Sequence, residues 1–471
     1  MRYFQLRCAG LLATVVAVVL LYASPSQAVP NFAMQTGQPC IMCHVGGFGP
    51  QLTPFGRAFK IGGYTQDGGT GWEQYMRVSA FLQGSLTTTQ TGFPNTFPGP
   101  STPPVPQHYN TNNNFALDQI SIFIAGRVTE HTGGFVQLTW TDISNQFFWD
   151  NTDLRPFTTE IDIGDHELRV GTSVNNGPTV QDPYNTTYAW EYPYFESSLA
   201  PTPTADPVLN AFQGNSIGYT AYAWYDRSLY LEAGGYTSMS TWSLARAGQP
   251  LGPGSTQGLS PYVRAAYEWD WNDQAAYIGG LYFQSNVNPT TDTFNSSGAF
   301  GRDHYTDYAV DFGYQFIGNG THRINLMGIV TYEQQNLEGT VNTFNAQNGT
   351  AYGPHTNLTK SNLTASYWYQ NTYGVTANWE KWWGSYNPVL YSPSPVYGSA
   401  NGKPNSNAFV FEVDWVPFGK EDSWLRPWAN LKIGLQYVVW TQFNGGASNY
   451  DGYGRNASGN NTIFLYAWTA F

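Results

Sequence analysis

The stretch Pro261-Tyr-Val-Arg-Ala-Ala-Tyr-Glu-Trp-Asp-Trp271 alternates between apolar and polar side chains. In an extended chain, successive side chains point to opposite faces. One face then carries Val263, Ala265, Tyr267, Trp269 and Trp271, and the other carries Arg264, Glu268 and Asp270. The pattern predicts a β-strand whose apolar, aromatic face meets lipid and whose polar face meets a wet interior.

The same alternation recurs from about residue 72 to the last residue. It is clearest in the segments 119–128, 304–316 and 430–440. Weaker candidates are 74–86, 135–142, 166–174, 216–226, 229–238, 274–285, 321–333, 362–370, 372–382, 408–417 and 462–471. These are about 15 strands, and closed bacterial barrels take even numbers. The sequence therefore predicts an all-β fold, a transmembrane antiparallel β-barrel of about 16 strands, with one further strand within 143–215.

Composition favours this barrel over a soluble protein. Aromatic residues make up 17% of the chain and charged residues only 11%, whereas soluble domains carry about 25% charged residues. The 33 Tyr and 17 Trp suit the aromatic girdles at the two membrane interfaces. The rival fold, a soluble β-sandwich or propeller, would need charged outer faces.

The N-terminal part differs from the rest. Arg2 and Arg7, an apolar run from Leu11 to Leu21 and the small-residue site Ser26-Gln27-Ala28 are typical of a signal peptide, with a retained anchor as the alternative. We expect residues 1–28 to be this peptide and residues 29–72 to be a small c-type monohaem plug, lodged in the lumen or capping it. Residues 73–471 would form the barrel in the cell outer membrane.

The motif Cys40-Ile-Met-Cys43-His44 contains the two cysteines that remain after residue 28. The spacing C-x-x-C-H is typical of covalent haem attachment, with thioether bonds to both cysteines and iron bound by the histidine. A redox disulfide lacks its usual βαβ context here, and tetrahedral zinc lacks a second cysteine pair. We predict one covalent haem c on Cys40 and Cys43, with His44 as the proximal axial ligand of the haem iron.

The distal axial ligand is not identified by the sequence. Weak candidates are Met327, Met76 and Met34. Strand parity turns Met327 toward the lumen and Met76 toward lipid, and Met34 precedes Cys40 by only six residues. Ordinary packing is the favoured interpretation for each of them.

The net charge of −12 makes nucleic acid a poor partner and cations suitable ones. Acidic residues cluster between Asp142 and Glu167, where they line either a metal-collecting mouth or a solvated loop. The chain contains no phosphate-binding loop, no HExxH and no Ser-His-Asp arrangement, so hydrolase chemistry has no support.

The stretch from Asn31 to Tyr64, NFAMQTGQPCIMCHVGGFGPQLTPFGRAFKIGGY, resembles the monohaem outer-membrane cytochrome–porin fusions, a family of ferrous-iron-oxidising outer-membrane cytochromes. A second similar stretch runs from Gly171 to Trp190. The resemblance implies a haem held at the mouth of, or inside, a 16-stranded barrel that passes electrons inward, and Cys40, Cys43 and His44 match the family motif. Met34 stands where a basic residue is common in that family, so the identity of the electron donor remains open.

The leading functional hypothesis is electron transfer from extracellular Fe(II), through the single haem, to a periplasmic c-type cytochrome or another soluble carrier. Such a protein could act as an Fe(II):cytochrome c oxidoreductase in contact with outer-membrane lipid. The alternatives are a porin with a redox-sensing haem plug, and a haem conduit for a different external donor or acceptor.

Overall fold

The computed structural model describes residues 31–68, 77–94, 108–250, 252–289, 300–318, 320–425 and 428–471. The predicted signal peptide and Met76 lie outside these ranges. Seventeen strands occur in the described residues: β1 (Arg77–Thr89), β2 (Asn114–Thr129), β3 (Thr132–Thr141), β4 (Gln146–Ile163), β5 (His166–Asn175), β6 (Ser216–Tyr225), β7 (Leu229–Ser238), β8 (Gly254–Thr256), β9 (Ser260–Trp271), β10 (Gln274–Pro289), β11 (Asp303–Phe316), β12 (His322–Leu337), β13 (His355–Tyr369), β14 (Tyr373–Gly384), β15 (Ser406–Trp415), β16 (Asn430–Gln442) and β17 (Thr462–Ala470).

Sixteen of these strands form one closed antiparallel barrel, as the alternation predicts. Each barrel strand pairs with its neighbours in sequence, and β7 pairs directly with β9. The short β8 adds three residues to the edge of β10 outside this order. The ring closes where β1 pairs with β17, with Leu86 opposite Leu465. The strand expected within 143–215 is β4.

The connections on one side of the barrel are short, apart from 416–429, and those on the other side are long, apart from 142–145. Residues Asp226 and Arg227 join β6 to β7 with φ of 47° and 52°, the left-handed geometry of a tight hairpin, and Gln370-Asn371 repeats it between β13 and β14. We call this side the short-turn end; β1 begins and β17 ends there. The other side, the long-loop end, holds the connections 90–113, 176–215, 239–259, 290–302, 338–354, 385–405 and 443–461.

Burial follows the predicted faces. Along β11, Tyr308, Val310 and Phe312 are exposed on the outside while Asp307 and Asp311 are buried in the lumen. β9 and β16 repeat this alternation, with Arg264 and Lys432 buried. Lipid therefore covers the apolar face, and the polar side chains pair inside the barrel.

Helices are few and short. They are α1 (Asn31–Thr36), α2 (Cys40–Cys43), α3 (Pro54–Ile61), α4 (Val208–Ala211), α5 (Thr241–Ala247) and α6 (Glu338–Asn348). Among the described residues, no helix has the length and apolarity needed to cross a membrane. The helix α3 begins at Pro54 because the Thr53 hydroxyl caps the backbone N–H of Gly56 at 3.2 Å and a proline fits the first helical position.

Residues 31–68, which we call the N-terminal segment, pack inside the barrel near the short-turn end. Gln35 accepts a hydrogen bond from the backbone N–H of Arg127, at the end of β2, at 2.9 Å. Asn430, at the start of β16 and separated from β2 by β17 and β1, donates to the carbonyl of Gly47 at 2.8 Å. In the middle of the segment, Arg57 is 1% exposed and donates to Glu268 and, at 2.9 Å, to Gln315.

The connection 176–215 folds into the lumen from the long-loop end. Its Asp182 carboxylate pairs with Arg264 of β9 at 3.1 Å, and Thr186 donates to Asp311 of β11 at 2.7 Å. The Tyr192 hydroxyl donates to Glu412 of β15 at 3.2 Å. We call residues 176–215 the inward loop. It turns inward because lumen-facing charges need partners away from water.

Two smaller boundaries also differ from expectation. β12 extends to Leu337 and β13 begins at His355, whereas the predicted segments end at 333 and begin at 362, and α6 lies between the two strands. The start of β13 has no apolar–polar alternation, because polar residues such as Thr356, Asn357 and Thr359 occupy both faces of the strand above the lipid zone. The pattern therefore did not predict this part of the strand.

We expect Val310→Arg to lower the free energy of unfolding by about 2–4 kcal/mol, because it places a charge at mid-height on the lipid face. Val310 is 54% exposed and lies in the middle of β11. The check is a urea titration of the reconstituted protein, followed by heat-modifiable gel mobility. Thr129→Arg, at the exposed turn after β2, is the matched control and should leave the midpoint unchanged; an equal effect at both positions would contradict the assigned lipid face.

We expect Arg57→Met to loosen the N-terminal segment by about 3–5 kcal/mol, because Glu268, 3% exposed, would keep a buried charge without its partner. The double variant Arg57→Met/Glu268→Gln should recover much of that loss. Hydrogen exchange of the amides of α3 measures both. Equal protection losses in the single and double variants would mean that the ion pair does not hold the segment.

Candidate functional site

The candidate site is built on α2, one helical turn that contains both cysteines of the motif. The carbonyl of Cys40 accepts the backbone N–H of His44 at 2.8 Å, and the carbonyl of Pro39 accepts that of Met42 at 2.9 Å. Residues three apart on a helix lie on one side of it, so Cys40 and Cys43 face the same direction. Both are thiols rather than a disulfide in this structure.

This turn is fixed from both sides. The backbone N–H of Ile41 donates to the carbonyl of Gly419, in the connection after β15, at 3.3 Å. The carbonyl of Ile41 accepts a hydrogen bond from the guanidinium of Arg323, in β12, at 2.9 Å. Downstream, the N–H of Thr53 donates to the carbonyl of Cys43 at 2.9 Å. The motif is therefore attached to the barrel wall and to the start of α3.

The bend that follows His44 requires glycine. Gly46 has φ of 72°, which is unfavourable for side chains, and a Cβ there would enter the ring of Trp368. This close approach lets Val45 and Phe48 pack with Trp368 and Trp468 in one buried cluster.

Cys40, Cys43 and His44 line one internal cavity of about 660 Å³. Ligand sites usually measure about 300–1,000 Å³. The part of the wall that comes from the N-terminal segment and β1–β3 is aromatic, with Phe32, Phe59, Phe81, Phe123 and Phe135. The cavity thus pairs two thiols and an imidazole with an apolar surround.

The His44 imidazole is suited to ligate a metal. Its Nδ1 atom is buried and has no hydrogen-bond partner of normal geometry. Burial lowers the pKa of His44 to about 4, partly opposed by the nearby backbone of Gly49, so the ring is neutral at pH 7. Burial, and then the neighbouring Cys40, raise the pKa of Cys43 to about 12.

Lys60 also lines the cavity and comes from the last turn of α3. Its Nζ donates to the carbonyl of Val180 and to Asn185 Oδ1, both at 2.9 Å, and lies 4.7 Å from the centre of the Trp190 ring. Burial lowers the pKa of Lys60 to about 7, although Asp153 opposes this. The inward loop and the N-terminal segment therefore meet at this lysine.

The long-loop part of the cavity wall is acidic. Besides Asp150 of β4, the charged residues described there are Glu191, Glu196, Asp206, Glu380 and Lys360. Lys360 forms an ion pair with Glu191 and lies 3.6 Å from Asp206. Burial raises the pKa of Glu191 to about 7, and Lys360 partly opposes this. Four carboxyl groups around one ammonium favour a cation in this part of the cavity.

The candidates for the distal ligand lie elsewhere. Met327 faces the lumen, as strand parity predicts, and is 6% exposed, with its sulfur 3.4 Å from the Tyr194 hydroxyl and 3.7 Å from Gln51 Nε2. Met34 is buried in α1. Neither belongs to the described lining of the cavity, whose only described histidine is His44. Met76 lies outside the described residues.

The acidic run from Asp142 to Glu167 does not form one mouth. Asp142 follows β3 at the long-loop end, whereas Asp162 is the second-last residue of β4, at the short-turn end. Midway between them, Asp153 is fully buried and pairs with Arg155 at 2.8 Å. In the described part of the chain, no three His, Cys, Asp or Glu side chains have a geometry that would hold a metal ion.

The sequence reasoning missed the acidic wall of the cavity. Glu191, Glu196 and Asp206 are on the inward loop, which carries no strand pattern. The sequence could have indicated only Glu380. Along β14 it lies two residues from Asn378 and two from Trp382, so its side chain points to the same, lumen-facing side of the strand.

No protein-family profile matches the chain, and no curated protein matches it. Solved structures with a similar fold include the outer-membrane channel DcaP of Acinetobacter baumannii, with 11% identity, a TM-score of 0.44, and coverage of 84% of this chain and 97% of that chain. OprB of Pseudomonas putida has 10% identity, a TM-score of 0.45, and coverage of 84% and 94%. An anion-selective porin from Comamonas acidovorans has 11% identity, a TM-score of 0.41, and coverage of 84% and 100%. At this level of similarity, nothing about the activity of this chain follows from these proteins.

Proposed function

We propose that this chain is an outer-membrane electron-transfer protein. It takes single electrons from extracellular Fe(II) and passes them, through one haem c on Cys40 and Cys43, to a soluble c-type cytochrome or similar carrier in the periplasm. The observation that carries the proposal is the shared cavity, which brings Cys40, Cys43 and His44 together inside a closed barrel.

The residues that line the cavity fit a covalently attached haem. Two thiols on one helical turn suit two thioether bonds, and the neutral imidazole of His44 suits iron. Side chains such as Phe59 and Phe123 give the site an apolar wall against which a porphyrin could pack. The cavity also has sufficient volume for a ligand of this class.

When bound, the haem supplies a one-electron redox couple. The protein's own residues then have separate tasks. Cys40 and Cys43 fix the position, His44 sets the proximal side, and the carboxylates Glu191, Glu196 and Asp206 attract Fe(II) from the long-loop side. Fe(II) leaves as Fe(III) after losing one electron, and the periplasmic carrier, as the final oxidant, accepts that electron.

The orientation follows from the loop lengths. In barrels of bacterial outer membranes, short turns face the periplasm and long loops face the exterior. The motif, attached to Gly419 and Arg323 near the short-turn end, would then lie on the periplasmic side of a hydrocarbon layer about 30 Å thick. An external donor would reach it through the acidic part of the cavity.

The first test is the covalent attachment itself. We expect the denatured wild-type protein to stain for haem on a gel, and Cys40→Ser or Cys43→Ser to lose most of the stain, because each removes one thioether. Ile41→Val, between the two cysteines, is the matched control and should stain normally. A wild-type protein that is exported and folded but gives no stain would overturn the assignment.

The second test is reduction by Fe(II) in a stopped-flow spectrometer, following the haem α-band. We expect Fe(II) to reduce the haem. We expect the double variant Glu191→Gln/Asp206→Asn to be reduced roughly tenfold more slowly, because the loss of two carboxylates lowers the local concentration of the cation. Reduction by a neutral hydroquinone should be equal in both proteins.

If hydroquinone reduced the haem but Fe(II) did not reduce it at any pH tested, Fe(II) would be ruled out as the donor. If the reconstituted protein in addition conducted small solutes freely, the porin with a redox-sensing plug would become the better assignment.

A further inference from the structure

The rim at the short-turn end is strongly acidic. Its exposed carboxylates are Glu130, Glu160, Asp162, Asp165, Asp270, Glu421 and Asp422. In the part that the structure describes, Arg227 is its exposed basic side chain, and the partly buried Arg127, Arg169 and Lys420 also lie there, with Arg127 paired to Glu130 and Arg169 to Glu160. Carboxylates remain in excess. We call this surface the acidic rim.

The opposite rim has a different charge. Outside the cavity, the exposed charged side chains in the described long loops are Arg246, Arg302 and Lys403, all of them basic. Outside the cavity, the exposed carboxylates of the described residues therefore lie at the short-turn end, whereas the acidic side chains of the long-loop end line the cavity. Such an asymmetry creates a field that selects partners by the sign of their charge.

The acidic rim surrounds the place where the haem motif reaches the surface. Met42, between the two cysteines, is 39% exposed and does not line the cavity, so its side chain faces outward. The neighbouring connection between β15 and β16 holds Ile41 through the carbonyl of Gly419. In the same connection, Trp424 is 79% exposed and lies two residues after Asp422.

We propose that this face is the docking surface for a positively charged, soluble redox protein, which touches Met42 and Trp424 while the acidic rim attracts it. Exposed aromatic and methionine side chains are enriched at the centres of protein interfaces, and complementary charge raises the rate of association. The inference rests on the proposed function, which requires a periplasmic electron acceptor, and it specifies the charge and the contact point of that acceptor.

The geometry suits a short electron path. Met42 and Cys43 are consecutive, and α2 is attached to the same connection that carries Trp424. A carrier seated on Met42 would lie one residue away from a thioether of the bound group. Docking on any of the long loops would leave the whole inward loop between carrier and motif.

The test uses the full protein in lipid nanodiscs and measures the binding kinetics of two soluble c-type cytochromes of similar size, one basic and one acidic. We expect only the basic cytochrome to bind, with an association rate that falls at least about tenfold from low to physiological ionic strength. Asp162→Asn/Asp165→Asn/Asp270→Asn should lower that rate by a similar factor and leave dissociation nearly unchanged. Trp424→Ala should instead speed dissociation by about tenfold.

Two matched controls lie on the opposite face. Glu338→Gln removes a carboxylate there, and Trp242→Ala removes an indole that is 64% exposed; neither should change binding. Equal binding of both cytochromes, or rim and Trp424 variants that behave like the wild type, would overturn the proposal. An unaltered affinity in Trp424→Ala would assign that indole to the membrane interface.

This measurement needs neither Fe(II) nor reduction of the haem. If Fe(II) reduction fails but the basic cytochrome binds at the acidic rim, the donor assignment is wrong and the docking surface stands. If Fe(II) reduces the haem and no cytochrome binds, the docking proposal alone is wrong.

Discussion

Closure of the sheet is the constraint on which the rest of the structure depends. Within hydrocarbon, each unpaired backbone N–H or C=O costs several kcal/mol, so a spanning sheet cannot keep an open edge. The pairing of β1 with β17 removes that edge. Because closure forces alternate side chains inward, it also creates the lumen in which charged residues such as Arg264 and Glu268 are buried.

Those inward charges explain why the lumen is filled. Glu268 is neutralised by Arg57 of the N-terminal segment, and Arg264 by Asp311 and by Asp182 of the inward loop. Arg57 and Asp182 come from different parts of the chain and enter from different ends of the barrel, whereas Asp311 belongs to the wall. Burying a charge without its partner is costly, so the barrel wall and its contents determine each other's positions, and the cavity is what the two inserted segments leave between them.

The strands of the barrel wall could be predicted from the sequence, whereas the paths of the segments that fill the lumen could not. A period of two is a local signal, and the outward face of β9 and the inward position of Met327 follow from it directly. The path of the inward loop depends on pairings between residues far apart, such as Thr186 with Asp311, which no local pattern encodes. For the same reason the motif Cys40 to His44 could be recognised by its spacing, whereas the acidic side chains across the cavity from it could not.

The seam between the first and last strands has a consequence for the order of assembly. The ring cannot close before β17 has been synthesised and brought to β1, and afterwards the N-terminal segment is enclosed by strands on every side. Because the segment precedes β1 in the chain and reaches the surface at the short-turn end through Met42, that end is its route into the lumen once the seam has closed. A group joined to its cysteines would have to pass through the same opening, or be enclosed while the seam is still open.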